Sequence, residues 1–565
     1  MIETVKQAHA GRRVWLALAV VASLAADALV FAGRSGWVAI AAWGAGLLLL
    51  VPAFAGEWKE GLARLRPTWK GAGLLLLFLL PVAVRAINTD DCRVHGDELL
   101  TAYFSATEDL RPERFFAEIP KNDGVWVCQF PTTFFVLQRF FFRIFGDTLP
   151  QVRWSVWPYV FVAAAFLFLS ARRVLDPFTG GVSVVLWAFL AISLYLESVG
   201  LHFVSSTAVL LVAFFFALRT LQEDGELDAV LAGVTAGLCY LFYTSSYVAL
   251  PVLAATIGLR VVRRRRLEVV RNIALPALGF ALLIGPFATY ALKVHNYFLG
   301  RAQQVSLLGG QWSDSAQRIA KGETALGIVA KNANVALKSF WESGIGGHGG
   351  YWFAHLPLFD RATLALLVLG LLIGFKLARR RGEVGLVLLV IGLSFLTGVV
   401  LTIPPPAYHR LAAAFPFVAI VLALPFRKVW AATRLSAFAR GTLVAGGLVV
   451  FAALNQSYFS EAALPEYENM ELLFANWINL RYPDRTCYVA AFPENAYAKI
   501  AYFAVPRRKG PIVCDYHDAL FRTLDPNVKY VYIVLFADEF RARFQKADPK
   551  GHFKVFAPGW GIFLN

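Results

Sequence analysis

Charge is scarce in this sequence. Asp, Glu, Lys and Arg make up 16% of its 565 residues, hydrophobic residues make up 58%, and the mean hydropathy is +0.57. A soluble chain of this length needs far more charge to cover its surface, so the shortage excludes an ordinary globular protein and makes a bilayer the natural solvent. Acidic charge is scarcer still, with 38 Asp and Glu against 54 Lys and Arg, a net charge of +16. Such a balance raises nucleic acid as a partner. The basic residues fall in short loops between apolar runs, however, which is a topology signal, and no nucleic-acid partner is expected. Internal repeats and low-complexity tracts are absent. Glycine is dense at 309–310 and 344–350, yet no strand precedes and no helix N-terminus follows, which excludes a nucleotide-binding loop and leaves a mobile loop or lid.

What is present is a series of apolar runs. Thirteen reach membrane-spanning length: 14–32, 37–55, 71–87, 154–170, 180–198, 203–219, 228–243, 245–260, 272–293, 362–378, 383–402, 410–426 and 440–457. The first is too long for a signal-peptide core and a second follows at once, so a retained helix is expected. Lys and Arg orient the set. With the N-terminus inside, the inner loops carry Lys59 to Lys70, Arg172/Arg173, Arg219, Arg260 to Arg266, Lys376 to Arg381 and Arg427 to Arg440, while the short outer loops carry almost none. Segments 88–152, 294–361 and 458–565 are then extracytoplasmic, and a plasma (inner) membrane fits the short loops. The last segment alternates helical patterns (468–482, 495–505) with strand patterns (487–492, 512–516, 530–536). The expected fold is therefore a polytopic α-helical membrane protein of about 13 transmembrane helices with a small extracytoplasmic α/β C-terminal domain. Its parts are an N-terminal hairpin and cytoplasmic loop (1–70), a membrane core (71–457) and the outer domain (458–565). Four of the five cysteines fall outside in two same-region pairs, Cys92 with Cys128 and Cys487 with Cys514, so two disulfides are compatible with the topology.

The first outer region holds the chemistry. Asp90, Asp91, His95, Asp97 and Glu98 lie within nine residues at the mouth of a helix, followed by the aromatic residues Phe115, Phe116, Trp126, Phe130, Phe134 and Phe135. A solvated acidic loop is the bland reading. A carboxylate held against such an apolar surface is partly desolvated, and that suits it to act as a general base.

These pieces, in order, are His95-Gly96-Asp97-Glu98, Phe130-Pro131-Thr132-Thr133, Phe145-Gly146 with Arg153 opening the next helix, Tyr195-Leu196-Glu197-Ser198, and Tyr408-His409-Arg410 before a late helix. Together they resemble the class C membrane glycosyltransferases, in the branch of protein O-mannosyltransferases and lipid A aminoarabinose transferases. The likeness covers roughly 70–430, with one departure: Gln129-Phe130-Pro131 stands where the family often has a basic or His-Pro-Pro element. The resemblance implies inverting transfer of a sugar from a polyprenyl-phosphate donor to an acceptor hydroxyl on a glycan, lipid or protein. It implies Asp97 as the base, with Glu98 beside it. Arg410, Arg93, Lys293 and Arg301 are the candidates for the departing phosphate, although an Arg at a helix end commonly reaches for lipid headgroups. His95, Glu197, His348, Tyr408 and His409 are candidates at the acceptor or loop. No cofactor is fixed; a divalent metal on Asp90 and Asp91 with Asp97 or Glu98 is the one open possibility.

Three other readings share the sequence: a lipid-linked sugar transporter or flippase, a ligase moving a whole glycan from a lipid pyrophosphate, and an assembly subunit without activity. A transporter calls for ionisable groups at mid-membrane, and Asp27 is the residue clearly inside a spanning run. A ligase would rely on Arg and His of the 294–361 loop.

Overall fold

The computed structural model describes residues 2–63, 69–89, 92, 95–107, 111–117, 130–264, 268, 270–294, 296–347, 351–353, 355–462, 478, 480–490, 512–515, 527–535, 537–557 and 560–564. Hydrocarbon offers no partner to a backbone N–H or C=O, so the apolar runs close their hydrogen bonds internally as helices. Among the described residues ten helices are long and apolar enough to cross a membrane: Gly11–Phe31, Gly71–Asn88, Leu149–Val174, Phe203–Gln222, Thr244–Arg264, Arg271–Lys293, Arg361–Ala378, Gly382–Val400, Tyr408–Trp430 and Ala437–Ala462. An eleventh apolar stretch, Pro177–Phe189 with Ala191–Glu197, is bent by 68° at its break. The other two of the thirteen expected runs form shorter helices, Trp37–Ala53 and Glu226–Cys239.

Burial ranks these helices. The most apolar 18-residue windows of Tyr408–Trp430 and Phe203–Gln222 are 94% and 83% buried, so these two form the centre of the bundle. In Ala437–Ala462 the corresponding figure is 11%, which puts that helix at the periphery. Helices apolar all round can serve in either place, because lipid and protein interior are similar solvents for Leu and Phe.

Small residues set the closest approach. A Cβ at Gly233 would lie 1.8 Å from the Pro276 carbonyl oxygen, and one at Gly279 would lie 2.1 Å from that of Val230. Helices Glu226–Cys239 and Leu275–Lys293 therefore cross backbone to backbone, which only glycine permits. Several of the basic loop residues named above share carboxylates: Asp224 accepts from Arg260 (2.8 Å), Arg264 (2.8 Å) and Arg271 (2.6 Å), and Arg263 pairs with Glu383 (2.7 Å).

The C-terminal region contains a five-stranded sheet. Strands β1 (Thr486–Ala490), β2 (Ile512–Asp515), β3 (Tyr530–Leu535), β4 (His552–Ala557) and β5 (Trp560–Leu564) are ordered β2-β1-β3-β5-β4. The first three pair in parallel and correspond to the three expected strands; β5 runs antiparallel to both β3 and β4. The hairpin β4–β5 and helix Ala537–Ala547, whose Phe544 packs on Tyr532 (4.4 Å between ring centroids) and Phe563 (5.1 Å), extend the domain beyond the expected elements. The two expected helices fall almost wholly outside the described residues, as do Cys128 and the side chain of Cys514, and with them both disulfide pairings.

Widening the glycine crossing must push two backbones apart. Gly233→Val is expected to cost ~1–3 kcal/mol or more and to lower the thermal unfolding midpoint in detergent. Gly392→Ala, where nothing lies within 4 Å of an added Cβ, is expected to leave it unchanged.

Candidate active site

The acidic motif opens helix Gly96–Thr107, with Asp97 and Glu98 in its first turn, where the helix dipole favours carboxylates. A reciprocal cap fixes the turn. The Asp97 N–H donates to Nδ1 of His95 (3.1 Å), and the His95 N–H donates to Glu98 Oε2 (3.4 Å). This is a capping box in which an imidazole replaces the usual hydroxyl. Nδ1 of His95 also lies 3.8 Å from Asp97 Oδ2, but a nitrogen already accepting a hydrogen bond carries no proton to share. We therefore read that approach as proximity, not as an ion pair.

The two adjacent carboxylates go opposite ways. Glu98 is fully buried and doubly held by Arg153, whose Nε donates to Oε1 (3.0 Å) and Nη2 to Oε2 (3.2 Å); the Gly200 N–H adds a third bond to Oε1 (2.6 Å). The same guanidinium donates to the carbonyls of Thr89 and Cys92 (3.0 Å for the latter). Asp97 instead keeps 32% of its side chain exposed and accepts from the Tyr351 hydroxyl at 2.5 Å. Tyr351 stands between two imidazoles, with ring centroids 4.1 Å from both His95 and His409. Burial first, and then the Asp97 carboxylate, push the Tyr351 phenol well above its ordinary value, so it stays a donor.

Behind this stack lies an aromatic wall of Phe203, Tyr243, Phe130 and His202. Burial, with Arg301 adding to it, pushes His202 down to about 3, so it is neutral at any working pH. Tyr243 lies within electrostatic reach of Asp97 as well as of Arg301 and Arg410. Those two guanidiniums line a cavity of about 250 Å³ together with Thr244, Ser245, Thr397 and Thr402. Arg410 is buried at the start of the central helix and reaches the Ile403 carbonyl only at 3.4 Å; Arg301 lies over the Trp312 ring (4.7 Å) and donates to Gln304 (3.1 Å). Among the described residues neither has a carboxylate at ion-pair distance. Two like charges thus share one cavity without a described counter-ion, and an anion there would relieve their repulsion.

The structure thus brings together Asp97, His95, His409, Arg301 and Arg410. It sets others apart. Lys293 donates to the Phe31 carbonyl and lies over the Phe31 ring, which ties it to the first helix. Glu197 is buried against Arg85, itself stacked on Trp187 at 4.6 Å, and Tyr408 is fully buried beside Gly347. Asp90, Asp91, Arg93 and His348 lie outside the described residues. Among the described residues no three His, Cys, Asp or Glu side chains converge as a metal site. Sequence reasoning missed Tyr351, Tyr243, and the roles of Arg85 and Arg153. It also named only Asp27 as ionisable within a spanning run, and Arg85 and Arg153 correct that: each sits in an apolar helix, where a buried partner is obligatory.

Comparison with solved structures decides the fold. ArnT from Cupriavidus metallidurans bound to undecaprenyl phosphate superposes with a TM-score of 0.57, at 13% identity, covering 87% of this chain and 98% of that one. Its apo form gives 0.57 at 12% identity, with 88% and 98% coverage. The chain shares the fold of ArnT. The archaeal oligosaccharyltransferase AglB from Archaeoglobus fulgidus also matches, at TM-score 0.49 and 14% identity over 88% of this chain and 74% of its own. No protein-family model matches the sequence, and no curated protein matches it significantly.

Removing one partner of the Glu98–Arg153 pair strands a buried charge. Arg153→Met is expected to destabilise by ~3–5 kcal/mol, read as a fall in the thermal midpoint. The double variant Glu98→Gln/Arg153→Met is expected to recover part of that loss.

Proposed function

We propose that this chain is an inverting glycosyltransferase that moves one sugar from a polyprenyl-phosphate donor to an acceptor hydroxyl on the extracytoplasmic face of the plasma membrane. One observation carries the reading. A partly exposed carboxylate, Asp97, held by Tyr351, and a cavity lined by two arginines without a described counter-ion both lie within electrostatic reach of Tyr243. That is the charge arrangement the reaction requires. The acceptor oxygen attacks the anomeric carbon and passes its proton to Asp97. The bond from that carbon to the phosphate oxygen breaks, and the polyprenyl phosphate leaves with the charge that Arg301 and Arg410 face. Attack opposite the leaving group inverts the anomeric centre.

The solved ArnT complex holds undecaprenyl phosphate, which fits a lipid-phosphate donor on this fold. Among the described residues no three metal-ligating side chains converge, and Asp90 and Asp91, the other candidate ligands, lie outside them. No step here is routed through a metal. Tyr351 has a positioning role, holding the Asp97 carboxylate in one rotamer so that its other oxygen faces the acceptor.

The test is release of the lipid carrier by purified protein in detergent: polyprenyl phosphate from a panel of polyprenyl-phosphate sugars, and polyprenyl pyrophosphate from a polyprenyl-pyrophosphate glycan. Asp97→Asn is expected to lower kcat by roughly 10²–10⁴-fold while still binding donor. Tyr351→Phe is expected to lower kcat less, with donor KM unchanged, and Arg410→Met to raise KM and lower kcat together. Wild-type turnover by Asp97→Asn would refute the base. Turnover of the pyrophosphate substrate alone would replace this reading with the ligase.

A further inference from the structure

The two arginines that line the 250 Å³ cavity belong to different helices, Tyr297–Val305 and Tyr408–Ala414, and their mutual repulsion favours moving them apart. A short segment at the end of the span Gly382–Val400 holds them in place. Its last turn, Leu396–Val400, is a π-helix, closed by the Leu401 N–H donating to the Leu396 carbonyl (2.9 Å). A helix end leaves its last carbonyls without donors from the helix itself. Here one side chain supplies them. Asn332 Nδ2 donates to the carbonyls of Val399 (3.3 Å), Val400 (2.6 Å) and Thr402 (3.1 Å). Asn332 lies mid-way along helix Ala325–Lys338, on a buried face with Ile328 and Ala336 at i−4 and i+4, and that helix packs on the π-turn.

Both arginines are tied to the same segment. One turn after Arg301 the chain pairs with it as an antiparallel bridge. The Ile403 N–H donates to the Val305 carbonyl (2.8 Å), and the Leu307 N–H donates to the Leu401 carbonyl (2.8 Å). On the other side Gly398 admits the start of the central helix. A Cβ at Gly398 would lie 3.0 Å from the Arg410 carbonyl oxygen and 3.3 Å from Arg410 Cβ. The Arg410 guanidinium itself turns back to the Ile403 carbonyl at 3.4 Å. Thr397, Gly398 and Thr402 of this segment line the cavity, and Asn332 does not.

We infer that Asn332 is a positioning residue for the cavity: by answering three carbonyls at once it fixes the π-turn, and with it the separation of Arg301 and Arg410. Without the amide the turn loses the contact that favours it over an ordinary helical end, and the two cations are free to spread. The role rests on the proposed lipid-phosphate donor and adds a residue that touches neither donor nor acceptor.

Binding, not turnover, tests it. Undecaprenyl phosphate and its uncharged counterpart undecaprenol are titrated separately against purified protein in detergent, with no sugar or acceptor present. Wild type is expected to bind the phosphate more tightly, because only the phosphate engages the arginines. Asn332→Leu, similar in volume but without the amide, is expected to weaken undecaprenyl phosphate roughly tenfold, the size of one charge-assisted hydrogen bond, and to leave undecaprenol unchanged. Gly233→Val, which strains a helix crossing elsewhere, is expected to lower the thermal midpoint and leave both affinities as in wild type. An equal loss for both lipids in Asn332→Leu overturns the inference, because it makes Asn332 structural only. No loss for either overturns it as well. If Asn332→Leu does not fold, Asn332→Ser, which keeps one donor, is expected to show the same selective loss to a smaller degree, and its absence counts equally against the role. Carrier release by wild type, with Asn332→Leu binding as tightly, refutes the positioning role alone. Selective loss in a protein that transfers no sugar refutes the transfer alone. Wild type that binds the two lipids alike overturns both.

Discussion

A carboxylate taken entirely out of water is tolerable only when its charge and its lone pairs are both answered, and Glu98 meets that condition through Arg153. The arrangement at this end of the bundle follows from this pair. Arg153 belongs to the helix span Leu149–Val174, so the bond anchors the start of helix Gly96–Thr107 to the bundle. Its remaining N–H groups hold the carbonyls of Thr89 and Cys92, which fixes the chain leaving the preceding membrane helix. The Gly200 N–H brings in the segment that follows the bent pair Pro177–Glu197. Three separate stretches thus meet on one buried ion pair. Arg85 with Glu197 repeats the device a short way off, joining Gly71–Asn88 to the bent pair.

With Glu98 fixed, the direction of Asp97 is no longer a free choice. Successive residues in a helix point about 100° apart, so burying one carboxylate turns its neighbour towards the opening. Tyr351 then meets Asp97 across 254 residues of sequence and restrains it. His95 stacks on Tyr351 at 14° and His409 packs against it tilted at 39°, both with ring centroids 4.1 Å away. An acidic doublet that looks redundant in sequence is thereby divided into a buried, ion-paired member and a partly exposed one.

This division also shows what was legible beforehand. The apolar runs gave the helices, because in lipid an apolar run of that length has no other form to take. The motif singles out Asp97 as a candidate, and the place before a late helix singles out Arg410. Tyr351 is not singled out: it sits beside a glycine-dense stretch that reads as loop, and its function is created by contact with an element far away in the chain. Glu98 looked like a second chemical group because sequence cannot say which of two neighbouring carboxylates finds a guanidinium. The signal that could have decided it was Arg153, an arginine inside an apolar helix, since an arginine there must have a partner. The same reasoning applied to Arg85 would have placed Glu197 in the framework instead of the acceptor site.

The proposed chemistry also depends on what surrounds the charged groups. Around Tyr351 and Tyr243 the wall is Phe203, Phe130 and a His202 that burial keeps neutral, so few dipoles are available to screen a charge placed there. In such surroundings Arg301 and Arg410 repel one another more strongly than they would in water, and an incoming phosphate is attracted more strongly for the same reason. The energy that two cations in one cavity cost the empty protein is offset when an anion enters. On the proposed mechanism the anionic charge on the phosphate grows as the sugar–phosphate bond lengthens. The offset is then larger at the transition state than in the bound donor, and a cavity that burdens the resting fold is for that reason suited to accelerate the transfer.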